Sequence, residues 1–411
     1  MSQFKALAEQ VMARCDELGA ISQHPNHVDR RYLTAEHKKA NALVASWMEQ
    51  ANMMTWQDGA GNLWGRYESM AKDAKRLLIG SHLDTVPNGG KYDGMLGVIA
   101  PIAMVQHFAK TGAEFPFHID IVGFGDEEGT RFGSTLLGSR ALVGNWPQEW
   151  ADLTDVEGIS LRQALAEFGL EFDAVNDSKV DAASIHAYVE LHIEQGPVLE
   201  QRDLAVGVVS AIAGAKRFAF TVTGFAGHAG TVPMGLRQDA LAGASEMILA
   251  VEQIAANSGV VATVGKIDNR PNGVNVISGK TQFSLDIRSD NDNLRDTTLT
   301  EIISAFEQIA QRRNLQVNYE QTHSAPAVVC SNHLQEQLTA AVEHCQGHSL
   351  TLLSGAGHDA MAIADICPVA MLFTRCEKGI SHHPGEAITS KDVDISLATL
   401  HHFVSQFQPP E

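Results

Sequence analysis

The sequence predicts an α/β fold with a mainly parallel sheet, in which one domain is split by an inserted α+β domain. Three observations lead to this class. Apolar, strand-like runs alternate with helical patterns in the first half of the chain. After about residue 212 the order becomes strand, long helix, strands, helix and strand, and from Asn332 the alternation resumes. At 411 residues the chain also exceeds what one core accommodates. We therefore assign residues 1–212 and 331–411 to the split domain and 213–330 to the insertion.

The first part of the split domain opens with two helices. An amphipathic helix is predicted near residues 2–18 and a second near 35–51, with Thr34 as its N-cap. The alternation that follows is typical of parallel strands joined by a crossover helix. The predicted elements are strands near 62–68, 76–81 and 117–124 and a helix near 94–111.

The insertion contains longer strands and two long helices. Its predicted elements run, by residue number, over 217–222, 237–254, 260–267, 276–288, 294–312 and 315–320. In the last part of the chain a strand over 369–373 leads into a loop that carries His382. The end of this strand should join the strand ends of the first part at one edge of the sheet.

Composition excludes several classes of protein. The formal charge of −19 disfavours nucleic acid and anionic membranes as partners. No apolar run approaches the roughly 20 residues that span a bilayer, and residues 1–6 lack the apolar core of a signal peptide. Five cysteines without CxxC spacing argue against a disulfide framework and a thiolate zinc site. A cytoplasmic protein is expected.

Two adjacent carboxylates, Glu127 and Glu128, follow the apolar run 117–124. Adjacent residues on an extended segment point to opposite sides, so we expect the two to have different tasks. Their mutual repulsion must be offset by a cation or a shared proton. For an isolated pair, a solvated acidic turn is the better interpretation.

This pair is not isolated, because further metal-binding side chains also lie at strand ends or in glycine-rich loops. They are His82, Asp93, His192 and His382. Any one histidine is more often a surface or core residue, but the set together favours a metal site. Asp84, two residues after His82, either orients that histidine or is oriented by it, and the spacing leaves both open.

Seven motifs in order give the chain a resemblance to a known family. It resembles the M20 metallopeptidases and amidohydrolases, and within them the branch of N-carbamoyl-L-amino acid hydrolases and allantoate amidohydrolases. The likeness covers nearly the whole chain. The motifs lie at residues 81–85, 92–94, 127–132, 190–196, 227–234, 357–360 and 379–382.

The resemblance implies a di-metal catalytic domain. His82, Asp93 and His192 would hold one divalent ion, and Asp93, Glu128 and His382 the other, so that Asp93 is the bridge. Three protein ligands per ion leave a position for a shared water. The donor set suits zinc or manganese, and cobalt or nickel are also possible.

The resemblance also implies catalytic roles. Glu127 would deprotonate the water and later pass the proton to the departing nitrogen. His228, in the inserted domain, would stabilise the oxyanion of the tetrahedral intermediate. Which histidine of the last motif binds the second ion stays open, because His383 directly follows His382. The match to Gly-Ile-Ser-His favours His382.

Substrate contacts follow from the same likeness. Asn275 and Arg288 would grip a substrate carboxylate, the arginine through two parallel hydrogen bonds. The alternative for Arg288 is a surface salt bridge with a nearby aspartate such as Asp286, Asp290 or Asp292.

Further candidates for substrate binding are Gln195, Arg217 and His358. For Gln195 and Arg217 a helix cap or a surface contact is equally compatible with the sequence. His358 and Asp359 belong to a motif that lines the substrate cavity in the family, and either substrate contact or support of the metal ligands is expected.

The function implied is hydrolysis of the ureido C–N bond of an N-carbamoyl-L-amino acid or allantoate, with release of ammonia. The motifs do not separate these two substrates. One alternative is an M20 aminopeptidase or aminoacylase, and another is a metal-dependent dimer that binds a carboxylated ligand without turnover. The insertion is expected to be a dimerisation and lid domain, which makes a homodimer the expected assembly.

Overall fold

The computed structural model describes residues 4–410, and these form two compact units. One unit contains the described residues up to Ser210 together with those from Cys330 onward, and the other is Ala211–Val329. Among residues 4–410, no helix combines the length and the apolar character that a membrane crossing requires.

The first unit begins with helices and the strands of a large sheet. Residues 2 and 3 of the first predicted helix lie outside the described residues. The side chain of Thr34 accepts a hydrogen bond from the main-chain N–H of His37, so the predicted N-cap is confirmed. The elements are α1 (Lys5–Gly19), α2 (Ala35–Gln50), β1 (Met54–Gln57), β2 (Leu63–Tyr67), β3 (Arg76–His82), α3 (Leu96–Thr111), β4 (His118–Phe124), α4 (Leu137–Leu142), α5 (Leu161–Phe168), β5 (Ile185–Ile193), α6 (Val198–Gln201) and β6 (Val206–Ile212).

The second unit is an antiparallel sheet with two long helices. Its elements are β7 (Gly214–Thr223), β8 (Gly227–His228), α7 (Ala240–Ser258), β9 (Val261–Thr263), β10 (Ile267–Arg270), β11 (Val276–Ile277), β12 (Lys280–Ser289), α8 (Asp292–Arg313), β13 (Gln316–Ala325) and β14 (Val328–Val329). The sheet order is β10-β12-β7-β13, with β9 also paired to β12, and β8 pairs with β11. Phenylalanines at positions 220, 283 and 306 pack together in its core.

The chain then returns to the first unit. The remaining elements are α9 (Asn332–Gln346), β15 (Thr351–Ser354), α10 (Ala360–Ile363), β16 (Val369–Thr374) and α11 (Ser390–Gln406). Short 3₁₀ helices occur at Gln148–Asp152, Phe172–Ser178, Ala182–Ser184, Met234–Leu236 and Glu377–Gly379.

The sheet of the first unit runs in the order β1-β2-β4-β3-β5-β16-β6, and β15 also pairs with β6. Its centre is parallel, since β3 pairs in parallel with β4 and β5, and β5 with β16. The outer pairs β1–β2, β2–β4 and β16–β6 are antiparallel. One apolar core joins the sheet to α1, α3, α9 and α11. The predicted α/β class with a mainly parallel central sheet is confirmed.

Some predicted strands differ from the structure. The strand predicted over 260–267 is two shorter strands, β9 and β10, and the one predicted over 276–288 is broken between β11 and β12. At that second break the hydroxyl of Ser278 bonds to the side chains of Asn269 and Thr281, which replaces regular pairing with side-chain contacts. The edge strand β1 was not predicted.

Candidate active site

Strand ends in the first unit gather the predicted metal ligands. His82 is the last residue of β3 and His192 the next to last of β5. Glu128 follows β4, and Asp93 precedes α3 by three residues. The loop after β16 carries His382. Parallel strands end at one edge of a sheet, which is why residues far apart in sequence meet there.

Asp93 lies at the centre of this cluster. Its Oδ1 lies 3.4 Å from Nε2 of His82 and 3.2 Å from Nε2 of His192. Its Oδ2 lies 3.4 Å from Nε2 of His382, which is also 3.4 Å from Oε1 of Glu128. Two triads with ligand atoms within 4.8 Å of one another therefore share Asp93, one through each carboxylate oxygen.

The hydrogen bonds of the two buried histidines show that these donors fit a cation. Nδ1 of His82 lies 3.0 Å from the carbonyl oxygen of Asp84, and Nδ1 of His192 lies 2.9 Å from that of Ile193. A carbonyl only accepts, so each Nδ1 carries a proton, and in a neutral ring Nε2 then presents a lone pair. The Nε2 atoms of His82 and His192 lie 3.4 and 3.2 Å from Asp93 Oδ1, and Nε2 of His192 is buried without a hydrogen bond to any residue in 4–410. An added proton or a cation between these atoms would relieve this arrangement.

The pKa shifts of the carboxylates in the cluster also indicate that this site fits a cation. Burial would raise the pKa of Asp93, but His192, His382 and His82 hold it well below its usual value. Burial and the nearby Asp93 raise the pKa of Glu128 to about 7. Burial likewise raises the pKa of Glu127 well above its ordinary value, although His82 opposes the shift. A carboxyl group with a raised pKa keeps its proton to a higher pH, and a metal ion competes with that proton for the same oxygen atoms.

Glu127 and Glu128 reach the same cluster, so the expectation that they point to opposite sides is wrong. The chain after Phe124 is not extended, because Asp126 has φ = +61°. Glu127 Oε2 lies 4.0 Å from Nε2 of His82, whereas Glu128 contacts His382. The two carboxylates therefore lie in one site around His82, and Glu128 in addition contacts His382.

Asp84 holds the main chain of this acidic loop. Its fully buried carboxylate accepts the N–H groups of Glu127 and Glu128 at 3.0 and 3.3 Å. Oδ1 also lies 3.4 Å from Nδ1 of His82. Sequence spacing indicated a relation to His82 and missed the contact with a loop 43 residues away.

Gln195 lies beside the shared aspartate. Its Nε2 donates to Oδ2 of Asp93 at 2.8 Å, and the hydroxyl of Ser381 donates to the same oxygen. Within residues 4–410, the buried Oε1 of Gln195 has no hydrogen-bond partner. An acceptor is thus available next to the metal-binding cluster.

His358 and His383 have different surroundings. His358 is buried, packs edge-on against His192 with ring centroids 4.6 Å apart, and bonds through Nε2 to Ser354 Oγ at 2.7 Å. Burial lowers its pKa well below the ordinary value, so its ring is neutral. His383 is exposed, and its Nδ1 accepts the N–H of Gly385 at 2.9 Å. The residue next to Asp93 is therefore His382.

In the second unit, His228 and Asn275 are neighbours. His228 lies on β8 opposite Val276, the residue after Asn275, and the carbonyl of Asn275 accepts the N–H of Ala229 at 2.9 Å. Nδ1 of the exposed His228 accepts the N–H of Gly230 at 3.0 Å. In a neutral ring this leaves Nε2 as a hydrogen-bond donor.

Arg217 and Arg288 share the carboxylate of Asp286. Arg288 donates through Nε at 2.7 Å and Nη2 at 3.0 Å, and Arg217 donates through Nε at 2.8 Å. The salt bridge between Arg288 and Asp286, which the sequence allows as the alternative to a substrate contact, is therefore present. Burial would raise the pKa of Asp286, but the two arginines lower it.

Imidazole and carboxylate donors around one shared aspartate, at the ends of parallel strands, define a class: the metal-dependent hydrolases of α/β architecture. Within that class the chain belongs to peptidase family M20/M25/M40, whose profile matches residues 78–406. The predicted family is thus confirmed.

Three of the proteins similar to this chain carry names that belong to one branch of the family. The N-carbamoyl-L-amino acid amidohydrolase of Geobacillus stearothermophilus is 40% identical over 405 residues, which cover 98% of this chain and 99% of that protein. The allantoate deiminase of Arabidopsis thaliana is 40% identical over 433 residues, 97% of this chain and 82% of that protein. A solved amidase of the hydantoinase/carbamoylase family from Burkholderia multivorans superposes with a TM-score of 0.91 at 30% identity and covers 97% of each chain. These names agree with the predicted branch and not with the aminopeptidase alternative.

Proposed function

We propose that this protein hydrolyses the ureido C–N bond of an N-carbamoyl-L-amino acid or of allantoate and releases ammonia. The observation that carries the proposal is the carboxylate of Asp93, shared by two histidine-containing triads with Glu127 beside His82. The names of the relatives supply the ureido substrate class.

The cofactors in this proposal are two divalent ions per chain. His82, Asp93 and His192 would hold one ion, and Asp93, Glu128 and His382 would hold the other. When bound, such ions lower the pKa of a coordinated water and polarise the carbonyl under attack. Zinc and manganese are our first candidates, and the same donors accept cobalt or nickel.

Glu127 is the proposed general base and acid. It takes the proton of the attacking water and passes it to the departing nitrogen. Asp84 supports this role, because it holds the main chain at Glu127 while leaving the side chain beside His82. The products of a ureido substrate are ammonia, carbon dioxide and the amine.

Gln195 is the proposed reader of the ureido group. Its buried Oε1, which lacks a partner within residues 4–410, can accept a hydrogen bond from a terminal NH₂. A buried acceptor discriminates strongly, because a substrate without the matching donor leaves it unpaired. An N-acyl group has a carbon at that position, so this argument favours ureido substrates over N-acyl amino acids.

The inserted unit is proposed to bind the substrate carboxylate and to act as the dimerisation and lid domain. Arg288, Arg217 and Asn275 are the proposed carboxylate contacts, and His228 is the proposed oxyanion donor through Nε2. A homodimer is supported by large apolar side chains exposed on this unit, among them Phe225, Met234, Leu236, Leu249 and Val261. His358, neutral and packed on His192, is proposed to support that ligand rather than to touch substrate.

Location is part of the same proposal. All five cysteines are free thiols, four of them buried. Free thiols are typical of a reducing compartment, so we propose the cytoplasm.

The test is ammonia release by protein loaded with Mn²⁺ and then with Zn²⁺. Substrates are allantoate, a panel of N-carbamoyl-L-amino acids, and N-acyl and dipeptide controls. Glu127→Gln should lower turnover by about 10²–10⁴-fold while both ions stay bound. Glu157→Gln, at an exposed position of the same unit, is the matched control. Cleavage of peptides alone would contradict the proposal in favour of an aminopeptidase, and ligand binding without any product would favour a binding protein.

A further inference from the structure

A buried carboxylate in the loop after His382 reaches across to the main chain at Asp93. Glu386 is 4% exposed. Its Oε1 accepts the N–H groups of Tyr92 and Asp93 at 2.7 and 3.0 Å, across nearly 300 residues of sequence. Its Oε2 lies 3.3 Å from the hydroxyl of Ser381.

These bonds hold Asp93 at both ends. Glu386 binds its N–H, while Ser381 Oγ and Gln195 Nε2 donate to its Oδ2. Ser381 directly precedes His382, so the same group of contacts fixes the loop that carries this histidine. The carboxylate of Glu386 thus links the segment of Asp93 to the loop of His382. Both residues belong to the triad with Glu128.

Gly90 makes room for this carboxylate. A Cβ at Gly90 would lie 2.4 Å from Cδ and Oε1 of Glu386 and 2.5 Å from its Cβ. Contacts below 3.0 Å do not occur at real Cβ atoms, so a side chain at position 90 must displace Glu386. The turn before Asp93 is therefore shaped around Glu386.

We propose that Glu386 is a positioning residue for the metal centre. Its hydrogen bonds set the orientation of the shared Asp93 carboxylate and of the His382 loop, and Glu386 itself contacts neither metal nor substrate. The inference rests on the proposed metal centre. Groups that orient metal ligands are typically worth 10–100-fold in metal affinity.

The experiment measures metal affinity and thermal stability separately on the full chain, stripped of metal with a chelator. Mn²⁺ alone, and in parallel Zn²⁺ alone, is titrated into wild type, Glu386→Ala, Glu386→Gln and Gly90→Ala. Gln346→Ala is the matched control. The Oε1 of Gln346 also accepts two consecutive N–H groups, of Ala205 and Val206, in the same unit and outside both triads.

We expect Glu386→Ala and Gly90→Ala to weaken binding of the ion by about 10–100-fold. Glu386→Gln should bind close to wild type, because its amide oxygen still accepts both N–H groups and its NH₂ can donate to Ser381. Gln346→Ala should lower the Tm of the metal-free protein and leave affinity unchanged. If Glu386→Ala does not fold, the metal affinities of Gly90→Ala and Glu386→Gln are compared instead, because the first variant displaces Glu386 and the second keeps its hydrogen bonds.

Two results would overturn the inference alone: wild-type affinity in Gly90→Ala and Glu386→Ala, or equal losses in Glu386→Ala and Glu386→Gln. Failure of the wild-type chain to bind either ion would instead overturn the metal centre on which the inference rests.

Discussion

The replacement Asp84→Asn isolates the contact that holds the acidic loop. The two carboxylate oxygens of Asp84 each accept one main-chain N–H, from Glu127 and from Glu128. An asparagine has one oxygen and one NH₂ group, so one of these N–H donors would face another donor. The side chain keeps its size, and only hydrogen bonding and charge change.

The expected cost follows from these two bonds. A hydrogen bond to a charged group contributes about 1.5–3 kcal/mol, and a buried N–H left unpaired costs about 1–3 kcal/mol. The two ranges partly describe the same lost bond, so they are not added. We expect Asp84→Asn to lower the free energy of unfolding by about 3 kcal/mol. For a unit of this size about 2 °C of Tm corresponds to 1 kcal/mol, which gives a decrease of about 6 °C.

Calorimetry of the metal-free and metal-loaded protein checks this value, and ammonia release checks turnover. Turnover should fall as well, since the loop that carries Glu127 and Glu128 loses one of its two bonds to residue 84. Asp177→Asn, an exposed change in the same unit that removes the same charge, should change neither quantity. An unchanged Tm with wild-type turnover in Asp84→Asn would refute the reasoning.

Three further outcomes are expected. Gly94→Ala should weaken metal binding, because a Cβ there would lie 2.4 Å from the ring of His82. The control Gly112→Ala should leave metal binding unchanged, because Gly112 also has a positive φ but open space around it. Equal metal affinities of the two variants would contradict the clash. Burial lowers the pKa of His37 to about 4. Between pH 6.5 and 4 only the unfolded chain is protonated there, so stability should fall by about 3 kcal/mol as the pH falls through this window. Urea unfolding should show a flatter pH dependence in His37→Gln. Without metal, the hydrogen bond to Asp93 raises the pKa of His382 to about 9. Metal binding must therefore release protons and strengthen as the pH rises towards 9, and titration calorimetry in buffers of different ionisation enthalpy should detect the release.

The sequence was sufficient for three of the strands that position the site. Apolar runs ending in polar motifs predicted β3, β4 and β16 within one or two residues, because burial imposes a simple pattern on central strands. Carboxyl ends of parallel strands meet at one edge, so His82 and His382 could be expected near each other.

Contacts that depend on irregular loops could not be predicted. The left-handed conformation of Asp126 turns Glu127 and Glu128 towards one cluster, and no local pattern signals it. The bonds of Asp84 and Glu386 to distant main-chain N–H groups leave no periodic trace either. Such contacts depend on how loops pack after the strands have assembled.

The position of β16 between β5 and β6 has a consequence for synthesis of the chain. About 175 residues separate the end of β5 from the start of β16. At 5–20 residues per second the ribosome needs roughly 10–35 s to make them. Throughout that interval one edge of β5 has no partner strand, and an unpaired edge can recruit the strands of other chains. The nascent protein is therefore most open to aggregation just before β16, and the loop with His382 that follows it, emerge.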